Sequence, residues 1–62
     1  MVCEFKVYLD GEKVAEDVIF ARQETDKVLV RDILGEPLSF EGATIIEVDV
    51  MTTRLILSKK GL

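Results

Sequence analysis

Histidine and tryptophan are absent from this chain, cysteine occurs once, at Cys3, and proline once, at Pro37. Each shortage excludes something. Without histidine no Ser–His or Cys–His nucleophile can be assembled, and most common zinc and nickel ligand sets fall away. A lone cysteine rules out an internal disulfide. Neither G-x-G-x-x-G nor a P-loop occurs, so there is no glycine-rich cradle for a phosphate. No apolar run approaches the ~20 residues of a membrane span, and no basic, apolar, small-residue pattern marks a signal peptide. The expectation is a cytoplasmic protein with no membrane association, in which Cys3 stays reduced.

What is present is small and acidic. Sixty-two residues carry twelve acidic and eight basic side chains, for a net charge of −4. Nucleic-acid affinity rests on Lys and Arg neutralising phosphates, and the basic residues here are scattered, so nucleic-acid binding is not expected. The pair Lys59–Lys60 reads as a solvated strand end. A hydrophobic content of 48% argues for a compact fold rather than disorder. The length allows one domain, 1–62, whose core supplies only ~3–5 kcal/mol. With disulfides excluded, a homodimer is the expected extra source of stability.

The dominant period is two. Cys3, Phe5, Val7 and Leu9 alternate with polar neighbours, which reads as a half-buried strand. Asp10–Gly11 supplies the positive φ values of a tight hairpin turn. Lys13–Glu16 resumes briefly and Val18–Arg22 makes a second strand; Glu24–Asp26 turns, and Lys27–Arg31 is a third. Gly35 and Pro37 break the pattern before a short strand at Leu38–Phe40. Ala43–Val50 is the longest β-like run, with Ile46, Val48 and Val50 facing one way. Met51–Thr53 turns the chain into Arg54–Lys59. Turn signals about every eight to twelve residues predict an all-β fold, a small antiparallel barrel or sandwich of about five to seven short strands. The predicted core is Phe5, Val7, Leu9, Val18, Phe20, Val28, Val30, Ile46, Val48, Leu55 and Leu57.

Enzyme chemistry finds little purchase, and the protein reads as a non-enzyme. Glu16–Asp17 and Glu47–Asp49 read as solvated faces, since a hard-cation site needs several converging oxygens. Asp10–Gly11–Glu12 is a turn, and Met51 a surface turn residue. Cys3 carries two readings. By spacing it is a small apolar strand residue in phase with Phe5 and Val7. By its place near the amino terminus it can join a chelate, because an α-amine, a deprotonated backbone amide and a thiolate form fused five-membered rings. That planar N,N,S set suits Ni(II), whereas Zn(II) prefers a tetrahedron. A second chain related by a two-fold axis would add another thiolate.

The stretches C-E-F-K-V-Y-L-D-G-E, E-D-V-I, D-I-L-G-E and E-V-D-V resemble the CooT family of small, dimeric, all-β nickel-binding proteins associated with maturation of nickel carbon monoxide dehydrogenase. The resemblance runs from Cys3 to Lys59. It implies that Cys3 of both subunits is the Ni(II) ligand at a dimer interface. Val2, through its amine or backbone, and Glu4 are the further candidate ligands. The implied role is a metallochaperone whose partners are apo carbon monoxide dehydrogenase or other nickel accessory proteins. Two alternatives stand beside it: a metal-free interaction module, or a small-barrel RNA-binding protein, with Cys3 structural in either.

One departure bears on the chemistry. The family pattern begins Met-Cys, whereas Val2 here separates Met1 from Cys3. Removal of Met1 would leave the amine on Val2, with the Cys3 amide between amine and thiolate as the chelate requires. Initiation at the codon read as Val2 would give Met-Cys-Glu directly. Intact mass of the protein from its source cell is expected to be short of the full sequence by either one methionine residue or one valine residue; a mass including both Met1 and Val2 would defeat the compact chelate.

Overall fold

Residues 3–59 are those described by the computed structural model; Met1, Val2 and residues 60–62, and with them the readings placed on Val2 and Lys60, lie outside. The alternating segments become six strands: β1 (Phe5–Leu9), β2 (Glu12–Gln23), β3 (Lys27–Asp32), β4 (Pro37–Glu41), β5 (Ala43–Asp49) and β6 (Arg54–Lys59). They form one sheet in the order β4-β3-β2-β1-β6-β5. Neighbouring strands are antiparallel except β1 and β6, which run parallel with Lys6 in register with Arg54 and Leu9 with Leu57. Asp10 and Gly11 both take positive φ, 51° and 88°, as the two-residue hairpin between β1 and β2 demands.

β4 and β5 occupy opposite edges of the sheet, yet Gly42 alone links them. A flat six-stranded sheet would hold its edges ~24 Å apart at ~4.8 Å per strand. One residue spans at most ~7 Å between its neighbours' Cα atoms. The sheet must therefore curl until its edges meet. Gly42 makes the corner at φ 75°, a conformation that suits glycine. Its N–H donates to the Asp26 carbonyl.

Gln23, at the end of β2, completes the closure. Its side-chain Nε2 donates to the carbonyls of Glu24 (2.8 Å), Lys27 (3.1 Å) and Ala43 (3.3 Å), while its Oε1 accepts the Ile45 N–H at 2.8 Å. The side-chain amide thus does for β5 what a neighbouring strand's peptide group would do. Edge groups that no strand reaches are satisfied by one glutamine.

Inside the curl, Val7, Val18, Val28, Val30, Ala43, Leu55 and Leu57 form the buried core, with Phe5, Leu9, Val14, Ala15, Phe40 and Ile45 packed against it. Three predicted core residues do not belong there: Phe20, which is half-buried at the margin, and Ile46 and Val48, which are 61% and 57% exposed. For Ile46 and Val48 the reason is a bulge. Ile45 pairs with Leu57 but Glu47 pairs with Ile56, so Ile46 is an extra residue that breaks the alternation. The inner face of β5 becomes Ala43, Ile45 and then Val48, and Val48 reaches only the open rim. Phe20 is half-buried, with the Arg31 and Arg22 guanidinium carbons 4.8 Å and 5.8 Å from its ring centre. The segments read as Lys13–Glu16 and Val18–Arg22 are one strand, interrupted by a bulge at Asp17 (φ 57°) whose carbonyl accepts the Ile33 N–H.

Gln23→Ala is expected to cost about 1 kcal/mol, the net worth of the lost bonds, since water can reach the Ile45 N–H in their place. Gln23→Glu should be worse at neutral pH, because it turns a carboxylate oxygen toward three carbonyls. Those dipoles raise the new group's folded pKa. Its penalty is then absent below the ordinary glutamate value near ~4.3 and grows as pH rises through it. Urea unfolding of both variants across acid to neutral pH reads the difference; a pH-independent gap between them would contradict the arrangement.

Candidate functional site

Cys3 and Glu4 precede β1 and are both exposed; the Cys3 thiol is free. The strand begins only at Phe5. Cys3 therefore does not extend the Phe5–Val7 side of β1 into the core, and among the described residues nothing buries it. An exposed thiol can reach a metal, an oxidant or a second molecule, which a core cysteine cannot.

What stands around this end follows from the pairings. Lys6 N–H donates to the Thr53 carbonyl at 2.8 Å, so the β5–β6 turn, residues 50–53, lies beside the entry to β1. That turn is tightly held. Thr53 has φ 53°, an unusual conformation for a β-branched residue. It is kept by the Lys6 bond and by its own N–H to Val50 O at 3.3 Å. Asp49 Oδ1 accepts the Thr52 N–H at 3.2 Å and Arg54 Nε donates to Thr52 Oγ1 at 3.1 Å. The hydrogen bonds from Thr52 hold the Asp49 carboxyl below the usual aspartate range. At the tip, Met51 is 95% exposed, as a surface turn residue should be.

Beneath the turn the curled sheet is open. An apolar cleft of about 260 Å³ lies between β2 and β5, lined by Phe5, Val18, Ile19, Ile45, Val48 and Leu55 among others. Gln23 pulls β5 onto β2 at one end; toward Val48 no such bridge exists among the described residues, and the two strands diverge. Sequence reasoning missed this cleft because it took Val48 as core filler. The adjacent pair Ile45–Ile46 was the available signal, since two neighbouring apolar residues in an alternating strand mark a bulge.

The other singled-out groups are not brought to this end as a cluster. Glu16 pairs with Lys13 at 2.9 Å on an exposed surface. That contact raises the Lys13 pKa and lowers that of Glu16. Asp49 is occupied in capping the turn. Among the described residues no three Cys, Asp or Glu side chains converge to hold an ion. Of the proposed ligands, Cys3 and Glu4 are adjacent and accessible, and Val2 lies outside the described residues.

Comparison with known proteins is specific. Residues 2–58 match the family model of the CO dehydrogenase accessory protein CooT. An uncharacterized protein of Methanocaldococcus jannaschii is 30% identical over 56 residues, covering 90% of this chain and 96% of that one. A crystal structure of a protein assigned as CooT from Carboxydothermus hydrogenoformans superposes with a TM-score of 0.81 at 19% identity. That match covers 95% of this chain and all of the other. It bears out the all-β fold, and the family match bears out the resemblance read from the sequence.

The Asp49 cap has a measurable acid limit. Its folded pKa lies below the unfolded one, so its contribution is complete above the ordinary aspartate value near ~3.9 and is lost as pH falls through the depressed folded value. The Thr52 amide proton shift, followed by NMR during acid titration, is expected to move with a midpoint below ~3.9. A midpoint at or above that value would dissolve the assigned hydrogen bond.

Proposed function

The chain belongs to the family of CO dehydrogenase accessory proteins CooT, and from that premise we propose that it is a Ni(II)-binding metallochaperone serving carbon monoxide dehydrogenase maturation. The observation that carries this reading is Cys3: the only thiol of the chain, free, exposed, and ahead of the first strand. Nickel is the cargo rather than a resident cofactor. Two chains hold it between paired Cys3 thiolates, with nitrogen donors from the amino-terminal backbone at Val2 and Cys3; Glu4 stands next as a carboxylate.

The chemistry of that donor set suits the task. One chain offers too few side-chain ligands for a closed site, and two-fold symmetry doubles them. Thiolate with deprotonated amide nitrogen favours a planar arrangement, which suits Ni(II) over Zn(II). Copper outranks nickel for such ligands, so selectivity comes from geometry and from metal supply. An exposed, shared site also suits handover, since an acceptor's ligands can approach without the donor unfolding. The acceptor in this reading is apo carbon monoxide dehydrogenase or another nickel accessory protein.

Titration of Ni(II) into freshly reduced protein, followed by thiolate-to-nickel absorbance in the near ultraviolet, tests the proposal. Saturation is expected at about one metal per pair of chains, with the band lost in Cys3→Ser. Metal binding displaces protons from thiol and amide, so affinity should fall as pH falls. Saturation at one metal per chain would mean a single-chain chelate. No band at all would leave a metal-free interaction module as the better account.

A further inference from the structure

The register of β2 with β3 slips by one residue on the β2 side: Val18 lies opposite Asp32, but Phe20 lies opposite Arg31. Val28 and Val30 point into the core, so alternation turns Leu29 and Arg31 outward. Cross-strand partners share a face, which puts Phe20 and Arg22 outside with them. The outer side of the sheet therefore carries a phenyl ring with two guanidinium groups over it, Arg31 at 4.8 Å and Arg22 at 5.8 Å from its centre. Pro37 and Ser39 of β4 continue the patch, opposite Arg31 and Leu29. Both are exposed, while Phe20 and Leu29 are half-buried.

These two cations are poorly compensated in a chain rich in carboxylates. Among the described residues Arg31 forms no ion pair, and Arg22 has only Glu24 at 3.6 Å, which Lys27 shares at 3.9 Å. The other charged groups nearby are engaged or stand at the margin. Lys27 and Glu41 face each other further along β3 and β4. Asp32 turns its Oδ1 to the Leu34 and Glu36 N–H groups, at 2.9 and 3.0 Å. Asp17 and Glu36 lie toward the β3–β4 turn, and Glu4 ahead of β1. Two cations on one ring repel each other unless an anion lies between them. Stacking on the ring fixes each guanidinium and leaves its forked N–H edge free for a carboxylate.

We propose that this outer face of β2 and β3 docks an extended acidic segment of a partner protein, two of whose carboxylates are taken by Arg22 and Arg31. Charge and spacing select that occupant. Arg22 and Arg31 are diagonal neighbours across the two strands, which sets their backbone positions ~7–8 Å apart. Acidic residues at alternate positions of an extended chain recur on one side at ~7 Å. Two forked cations therefore match two carboxylates, each in bidentate fashion. A nucleic acid fits less well, because its affinity grows with the number of phosphates neutralised. Only two arginines are offered here, and Glu4, Glu24, Glu36 and Glu41 around them would repel the rest of such a strand. The site needs neither Cys3 nor nickel.

NMR of the reduced, metal-free protein, read at the arginine Nε–Hε resonances, tests this with a blocked pentapeptide in which glutamate alternates with threonine. Saturable shifts of the Arg22 and Arg31 resonances are expected, with affinity lowered about tenfold by Arg22→Gln or Arg31→Gln. Arg31→Lys should weaken binding as well, because the charge remains but the fork is lost. Lys59→Gln removes the same charge elsewhere on the sheet and is expected to change nothing. All three side chains are exposed, so the variants should keep the wild-type circular dichroism. Absence of saturation, binding untouched by Arg31→Gln, or equal weakening by Lys59→Gln would overturn the proposal. Equal affinity for a peptide with glutamine in place of glutamate would do the same. Inorganic phosphate shifting the same resonances with the peptide's affinity would reduce the face to a simple anion contact. Tighter binding of an oligouridylate would assign it to nucleic acid, and either result displaces the acidic segment.

Discussion

Closure through Gly42 is the constraint from which the rest of this small fold follows. Joining the two edges of a six-stranded sheet by one residue forces a curl that no stretch of alternating residues could produce unaided. The curl gives a chain of 62 residues an inside at all, and the inside is modest: among the described residues seven side chains are buried, none larger than leucine. Because the closure is pinned at the Gly42 and Gln23 end, the opposite end is left apart. The cleft between β2 and β5 lies at that end, beside the β5–β6 turn and Cys3.

Much of the fold was legible in the alternation of residues. Strands fell where period-two runs occur, and Asp10–Gly11 turned as its composition required. Pairing partners were not legible, because period two reports which face a side chain takes and not which strand lies beside it. Nothing in Lys6–Leu9 or Arg54–Leu57 announces that they run parallel. Bulges defeated the reading more directly. Asp17 and Ile46 each add a residue and shift the phase downstream, which is how Ile46 and Val48 came to be misplaced in the core. Gln23 was invisible for a different reason: its role lies in side-chain geometry across the closure, and composition carries no trace of it.

The candidate site was legible in part. A lone thiol near the amino terminus is common, and spacing alone favoured a packed residue; exposure of Cys3 ahead of β1 removes that reading within the chain. Family membership then turns attention from the interior to the end of the molecule. A site built there from few ligands depends on what meets it, and the end of the sheet that carries Cys3 is also its apolar end.

The parallel pairing of β1 with β6 has a kinetic side. Lys6 and Thr53, 47 positions apart in the chain, are neighbours in space, and β1 is flanked by β6 from Lys6 to Leu9. A nascent chain can form the β1–β2–β3–β4 meander early, since its contacts are local, but β1 then waits with one edge unpaired until β6 has been synthesised. Long-range pairings of this kind slow folding. The β1–β6 pairing beside Cys3 therefore closes a loop far longer than the hairpin that joins β1 to β2.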